Sequence, residues 1–277
     1  LQIKERFMIN ITIIGQGAMG ARMARRLTDA GQSVTTWNRT GATQSPRDAV
    51  ADADIIIAMV RDDEASRAIW LDPETGVMAG MKAGALAIES STLSVAWVKE
   101  LAAAMVAADR AFIDAPVVGS RPQAEAGQLI HLIGGAEGDV TRAAPVLSLI
   151  GAAQHYAGAV GSGTALKLIV NTLFGIQVAA VAELIRLAKA MGLDSAAAFA
   201  ILNDIPVMSP AAKGAAALML AGNDSPMFPI ELVAKDFGYA VAAGGDTPMI
   251  TAAAEVYWTA AGEGYGARNI TGVVKCY

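Results

Sequence analysis

An apolar run, Ile11-Thr-Ile-Ile14, passes without a break into Gly15-Gln16-Gly17-Ala18-Met19-Gly20. A G-x-G-x-x-G turn between a strand and a helix admits few folds. The first glycine permits the tight strand-to-helix turn, and the second leaves bare backbone for a pyrophosphate. The third lets helix and strand pack closely. The helix that follows offers its first N–H groups and the positive end of its dipole to phosphates. Residues 15–20 therefore read as a dinucleotide-binding turn opening a doubly wound α/β sheet; a glycine turn with no ligand is the plainer alternative.

Strand-like runs recur at 8–14, 33–37, 54–60, 85–88, 111–114 and 129–133, with helical patterns such as 18–30 and 95–108 between them. From Gly161 onward no strand is needed, and helical stretches follow at about 164–191, 195–202, 209–221, 229–243 and 247–262. The pattern predicts an α/β fold: an N-terminal Rossmann-type doubly wound sheet over 8–160, then an all-α domain over 161–277. The opening Leu1–Phe7 reads as an extension ahead of Met8. After Asn38-Arg39-Thr40 the chain reaches Ser45-Pro46 almost at once, leaving little room for a crossover of ~10–12 residues. Either that crossover is truly shortened or a segment is missing.

Composition narrows the function classes. Only 17% of the 277 residues are charged and 54% are hydrophobic, which suits packed helices around a buried sheet and not disorder. The net charge of −5, with no basic run, argues against a nucleic-acid partner. The one cysteine, Cys276, cannot form an internal disulfide, which fits a reducing cytoplasm. The longest uncharged helical stretch, Leu168–Ala182, contains Asn171, Thr172 and Gln177 and falls short of the ~20 apolar residues of a membrane span, so it reads as a buried core helix. His131 and His155 have no metal-ligand spacing, and no metal site is expected; His131, inside an apolar strand pattern, reads as structural.

The chemistry concentrates at Gly161-Ser-Gly163-Thr-Ala-Leu-Lys167-Leu-Ile-Val-Asn171. Residues four apart share a helix face, so Lys167 supplies a proton donor and Asn171 a hydrogen-bonding partner on one side of one helix. A lysine among apolar neighbours has a pKa that falls with burial, as proton transfer near neutral pH requires. Joined to the glycine turn, this pair points to a nicotinamide-dependent dehydrogenase or reductase. Where an NAD enzyme usually shows an acidic residue for the ribose 2′-hydroxyl, the chain carries Asn38-Arg39-Thr40. Arginine attracts a 2′-phosphate and can bind it bidentately, so NADP(H) is expected over NAD(H).

In order along the chain, Gly15–Gly20, Asn38-Arg39-Thr40, Ser91-Thr92, Asp114-Ala-Pro-Val117, the Gly161–Asn171 run and Lys235-Asp236 resemble the β-hydroxyacid dehydrogenases. That family includes 3-hydroxyisobutyrate dehydrogenases and the tartronate, glyoxylate and succinic semialdehyde reductases; Ser120–Leu129 resembles the glyoxylate/succinic semialdehyde branch most. The resemblance implies that Lys167 is the catalytic acid or base and that Asn171 orients substrate or lysine. It places Thr92 beside the nicotinamide ribose, Lys235 over the cofactor, and Asp236 as a supporting charge in the substrate site. Met59 and Val60, ending a strand, are expected to offer backbone contacts to the cofactor.

Two positions depart from the family pattern. The substrate loop usually reads Asp-Ala-Pro-Val-Ser-Gly, and here Val118 replaces the serine, followed by Gly119 and Ser120. Losing a hydrogen bond to a charged group costs ~1.5–3 kcal/mol, so carboxylate binding must come from the backbone N–H groups of Gly119 and Ser120 or from the Ser120 side chain. Near the tail, Asn269 stands where members often carry aspartate. The leading expectation is reduction of a small aldehyde or keto acid, or oxidation of a 3-hydroxyacid. Alternatives are an NADPH-dependent imine reductase, which Val118 favours and Lys167 opposes, and a non-catalytic NADP-binding module. The Ala- and Leu-rich helical half predicts a homodimer or homotetramer.

Overall fold

The computed structural model describes residues 8–41 and 44–277; Leu1–Phe7, expected from the sequence to be an extension, and the pair Ala42-Thr43 lie outside them. The chain divides into two compact units, Leu1–Lys167 and Leu168–Tyr277, and the division falls inside one long helix.

In the first unit, β1 (Asn10–Ile14) leads through the glycine turn into α1 (Gly20–Asp29), then β2 (Ser33–Trp37), α2 (Pro46–Ala49) and β3 (Ile55–Ala58). There follow α3 (Asp63–Leu71), α4 (Val77–Gly80), β4 (Leu86–Glu89), α5 (Val95–Ala107), β5 (Ala111–Asp114) and the short β6 (Val117–Val118). The unit ends with α6 (Arg121–Ala126), β7 (Leu129–Gly134), α7 (Glu137–Ile150), β8 (Gly151–Gly158) and the first turn of α8 (Ser162–Ala190). Among the described residues the sheet runs β2-β1-β3-β4-β5-β7-β6, with β8 on β7. Strands β1 to β5 are parallel; β7 runs antiparallel to β5 and β6.

Register sets where the chemistry emerges. Ile14 pairs with Trp37 and Ala58, Ala58 with Glu89, and Glu89 with Asp114. The carboxyl ends of these strands therefore coincide, and the turns beginning at Gly15, Met59, Ser90 and Ala115 leave one edge of the sheet, where open α/β sheets bind ligands. Each sheet face has its own core. Ile11, Ile13, Met23, Leu27 and Ile57 belong to one; Ile14, Ile56, Trp70, Leu101 and Met105 belong to the other.

The crossover after β2 contains the pair Ala42-Thr43, so its continuity lies outside the described residues; on its far side stands α2. Ser45 caps α2 through a reciprocal pair with Asp48, Pro46 occupies its first turn, and the Thr12 hydroxyl donates to the Ala49 carbonyl at 3.0 Å. The sequence reading omits β8, whose Gly-Ala-Ala-Gln-His-Tyr-Ala-Gly has neither an apolar alternation nor β-branched residues. Pairing with β7 makes it a strand.

In the second unit α8 continues into α9 (Ser195–Asp204), α10 (Pro210–Leu220), α11 (Ile230–Gly244), α12 (Pro248–Ala260) and irregular helical turns at Ala261–Tyr265 and Ile270–Cys276. By length and composition α8 could cross a membrane, yet its inner residues Val178, Val181 and Ala182 join Phe199, Phe237 and Tyr257 in the core of this unit. Contact at Gly175 is tight. A Cβ there would collide with the Phe237 ring, and the Tyr257 hydroxyl donates to the Gly175 carbonyl at 2.7 Å.

Candidate active site

The three glycines of the turn do different work. Gly15 has φ +102°, and a Cβ there would collide with the Met59 carbonyl; one on Gly20 would collide with the Gly15 carbonyl. Gly17 differs, since a Cβ on it would meet nothing within 4 Å. Packing does not require glycine at 17, and the open space beside its bare backbone fits a pyrophosphate. No side chain caps the start of α1, which leaves its dipole end toward the turn. Gly15 donates to the Trp37 carbonyl at 2.8 Å, and the Gln16 N–H lies 3.5 Å from the Asn38 side-chain oxygen, so the end of β2 adjoins the turn. Arg39 and Thr40 follow, exposed. Ala18 and Met19 complete the turn, and the Ala18 carbonyl accepts from Arg22, which also pairs with Glu125 at 2.7 Å.

At the ends of β3 and β4 the structure narrows the sequence reading. The Met59 N–H donates to the Ile14 carbonyl, and the Val60 N–H donates to the Ser91 hydroxyl at 2.7 Å. Both N–H groups are committed within the protein and are not open to a cofactor. Thr92 follows Ser91, half-buried. Beneath them lies Glu89, which sequence reasoning passed over. It is fully buried and accepts from the Ser66 hydroxyl (2.7 Å), the Trp70 indole (2.8 Å) and the Ser91 N–H (2.9 Å). Burial raises its pKa above the ordinary carboxyl value, against the pull of these donors. The signal in the sequence was a carboxylate ending the otherwise apolar Ala85–Ile88 run.

Lys167 and Asn171 lie one turn apart on α8 and are both buried, at 8% and 7% exposure. In the second unit the Asn171 amide donates to Asp236 Oδ2 at 2.6 Å, and Lys235 Nζ stands 3.2 Å from Asp236 Oδ1. The Lys235 ammonium also lies over the Tyr239 ring, 5.2 Å from its centre. Asp236 thus fixes which end of the Asn171 amide is the donor and leaves the amide oxygen to face elsewhere. Asn171, Lys235 and Asp236 form one cluster.

The segment 118–120 departs from expectation. Val118 is a strand residue paired with Ile130, and Gly119 adopts φ +123°. The Ser120 N–H, a candidate anion donor by sequence, donates instead to the Gln123 side chain at 2.9 Å. That group is therefore closed to a substrate carboxylate; its own helix turn has taken it. Asn269 is 2% exposed, accepts from the Phe228 N–H at 3.0 Å and donates to Thr271 at 2.9 Å, pinning the chain before α11 to the tail. Among the described residues no group of three or more His, Cys, Asp or Glu could hold a metal ion.

Residues 10–161 match the family model for the NAD binding domain of 6-phosphogluconate dehydrogenase. Residues 161–277 match that for the NAD-binding region of NADP-dependent 3-hydroxyisobutyrate dehydrogenase. A glyoxylate/succinic semialdehyde reductase 2 of Arabidopsis thaliana is 31% identical, over 96% of this chain and 79% of that protein. The mouse cytokine-like nuclear factor N-PAC is 30% identical over 96% of this chain, and the chain spans about half of its length, 50%. Among solved structures, a 3-hydroxyisobutyrate dehydrogenase of Mycobacterium tuberculosis with L-serine superposes with a TM-score of 0.88 at 28% identity, covering 97% of this chain and 99% of that one.

Proposed function

The chain belongs to the β-hydroxyacid dehydrogenase family of NAD(P)-dependent dehydrogenases and reductases, and we propose that it reduces a small aldehyde or keto acid with NADPH, or oxidises the corresponding 3-hydroxyacid, with Lys167 as general acid and base. The observation that carries this reading is a buried lysine one helical turn ahead of an asparagine whose amide is oriented by a buried aspartate. When bound, the nicotinamide supplies or accepts the hydride. Lys167 gives its proton to the carbonyl oxygen in the reductive direction and takes it back in the other. The Asn171 amide oxygen, set by Asp236, can hold the lysine or a substrate hydroxyl in line. Arg39, exposed beside the glycine turn, supports the 2′-phosphate and hence NADPH.

Exposed Ile169, Leu173, Leu184, Leu187 and Met191 recur along α8 and its end, which supports a homo-oligomer; light scattering at micromolar concentration reads its mass. The function is tested by following NADPH and NADH oxidation against glyoxylate, succinic semialdehyde, tartronate semialdehyde and cyclic imines. The expected result is turnover of a semialdehyde acid with NADPH, falling at least ~100-fold in Lys167→Ala while NADPH still binds. Activity confined to imines moves the chemistry away from carboxylates. Binding of NADPH with no turnover of any carbonyl or imine leaves a non-catalytic module.

A further inference from the structure

Asp114 closes β5 and begins the segment associated with substrate, yet its carboxylate turns toward the start of α8. Oδ1 accepts from the Gly161 N–H at 2.7 Å; Oδ2 accepts from the Thr164 N–H at 2.7 Å and the Thr164 hydroxyl at 2.9 Å. The first N–H groups of a helix have no acceptor within it, and Asp114, 47 to 50 residues away in sequence, supplies one. Asp114 and Thr164 are both 0% exposed.

The surrounding space is tight. A Cβ on Gly134 would lie 2.7 Å from the Ala159 carbonyl and collide with Asp114 Oδ1. One on Gly163 would lie 3.0 Å from Asp114 Oδ2 and collide with the Leu132 carbonyl. Gly161 takes φ +91°, where the chain turns into the helix. The first turn of α8 is thus seated on the ends of β5 and β7 at van der Waals contact. Thr164 precedes Lys167 by three residues, and residues three apart share a helix face. Whatever fixes the rotation of α8 at Thr164 also fixes the direction in which Lys167 leaves the helix.

We propose that Asp114 is the positioning residue for Lys167, locking the rotation and depth of the first turn of α8 and so setting where the lysine ammonium is held. This deepens the reading of Lys167 as the proton-transfer group and rests on it. A cap serving stability alone would use the same three bonds, but it predicts a normal rate in any variant that is folded and saturated with cofactor.

The test compares Asp114→Asn, Thr164→Val, Thr164→Ser and Lys167→Ala with the parent enzyme. Single-turnover NADPH oxidation is measured at saturating NADPH with the best carbonyl of the panel, well below the melting midpoint of each variant. NADPH affinity is read by fluorescence. In Asp114→Asn an amide nitrogen must face one of the three donors, and the turn shifts. A misplacement of about 1 Å can cost on the order of 100-fold, so the expected loss in hydride-transfer rate is ~10–100-fold, with NADPH affinity held within about threefold. Thr164→Val loses rate in the same direction, and Thr164→Ser, which keeps the hydroxyl, returns most of it.

A wild-type rate in folded, saturated Asp114→Asn overturns the proposal. So does an equal loss of NADPH affinity, or a rate that tracks only the folded fraction. If Asp114→Asn does not fold, the Thr164 pair decides: a slow Val variant with a normal Ser variant supports positioning, and any other pattern overturns it. Wild-type turnover in Lys167→Ala overturns the parent reading and this proposal with it. Loss in Lys167→Ala with a normal rate in Asp114→Asn overturns the positioning role alone.

Discussion

His131 is 0% exposed on β7, and neither ring nitrogen has a hydrogen-bond partner among the described residues. Burial holds its pKa at about 4, against 6.5 in the open chain; the nearby backbone of Leu147 and Ala115 offsets only part of that. As pH falls from 7, the unfolded chain binds a proton near 6.5 while the native protein refuses it until about 4. The unfolded state therefore holds more protons across that window, and stability falls with falling pH. The gap, 6.5 minus about 4, is roughly 2.5 pH units; at ~1.36 kcal/mol each it removes about 3 kcal/mol by pH 4. Against a total of roughly 5–15 kcal/mol that loss is large.

Glu89 and Asp114 complicate the wild-type curve. Their carboxyls, raised by burial, keep protons in the native state that the unfolded chain has lost. They contribute in the opposite sense over part of the same range. The informative quantity is consequently the difference between wild type and His131→Leu in urea unfolding from pH 7.5 to 4. At pH 7 the leucine variant should be at least as stable, because two unpartnered polar atoms leave the core. Its advantage should grow by about 3 kcal/mol toward pH 4. A difference that stays flat within ~0.5 kcal/mol across the range would refute the idea that His131 enters the fold uncharged.

Glu89→Gln should lower stability by about 1–3 kcal/mol at pH 5, because its amide nitrogen must confront Trp70, Ser66 or Ser91. The deficit should shrink as pH rises and the wild-type carboxyl is forced to ionise in the core; denaturant midpoints at several pH values measure it. Gly175→Ala should lower the melting midpoint. The ~1 kcal/mol gain in helix propensity is outweighed by ~1–3 kcal/mol of overpacking against the fully buried Phe237, and a raised midpoint would show that Phe237 can move. Val118→Ser should raise kcat/KM for carboxylate-bearing carbonyls by ~10–100-fold and leave neutral substrates unchanged, while an unchanged glyoxylate value would place residue 118 away from the carboxylate.

What could be read from the chain was what local sterics dictate. Gly15 and Gly20 announce a strand–turn–helix because no other residue fits those backbones, and Lys167 with Asn171 is legible because a helix puts residues four apart together. What stayed hidden depends on partners remote in sequence. The Asn171–Asp236 bond spans 65 residues, and nothing local to either residue announces it. Strand β8 exists because β7 offers it an edge; its own residues do not ask for one.

The polar residues of the motifs show one bias. Sequence reasoning assigns a conspicuous donor or acceptor to the ligand, because the protein groups it meets are invisible. The fold gives the Ser120 N–H to Gln123 and the Val60 N–H to Ser91, and it uses the Asn269 and Asp114 side chains in the same way, on the Phe228 N–H and on the start of α8. A buried backbone N–H left without an acceptor costs as much as a lost hydrogen bond. The turns at a sheet edge carry many such groups, so motif side chains there satisfy backbone first. The proposed chemistry rests instead on Lys167 and Asn171, buried one helical turn apart on α8.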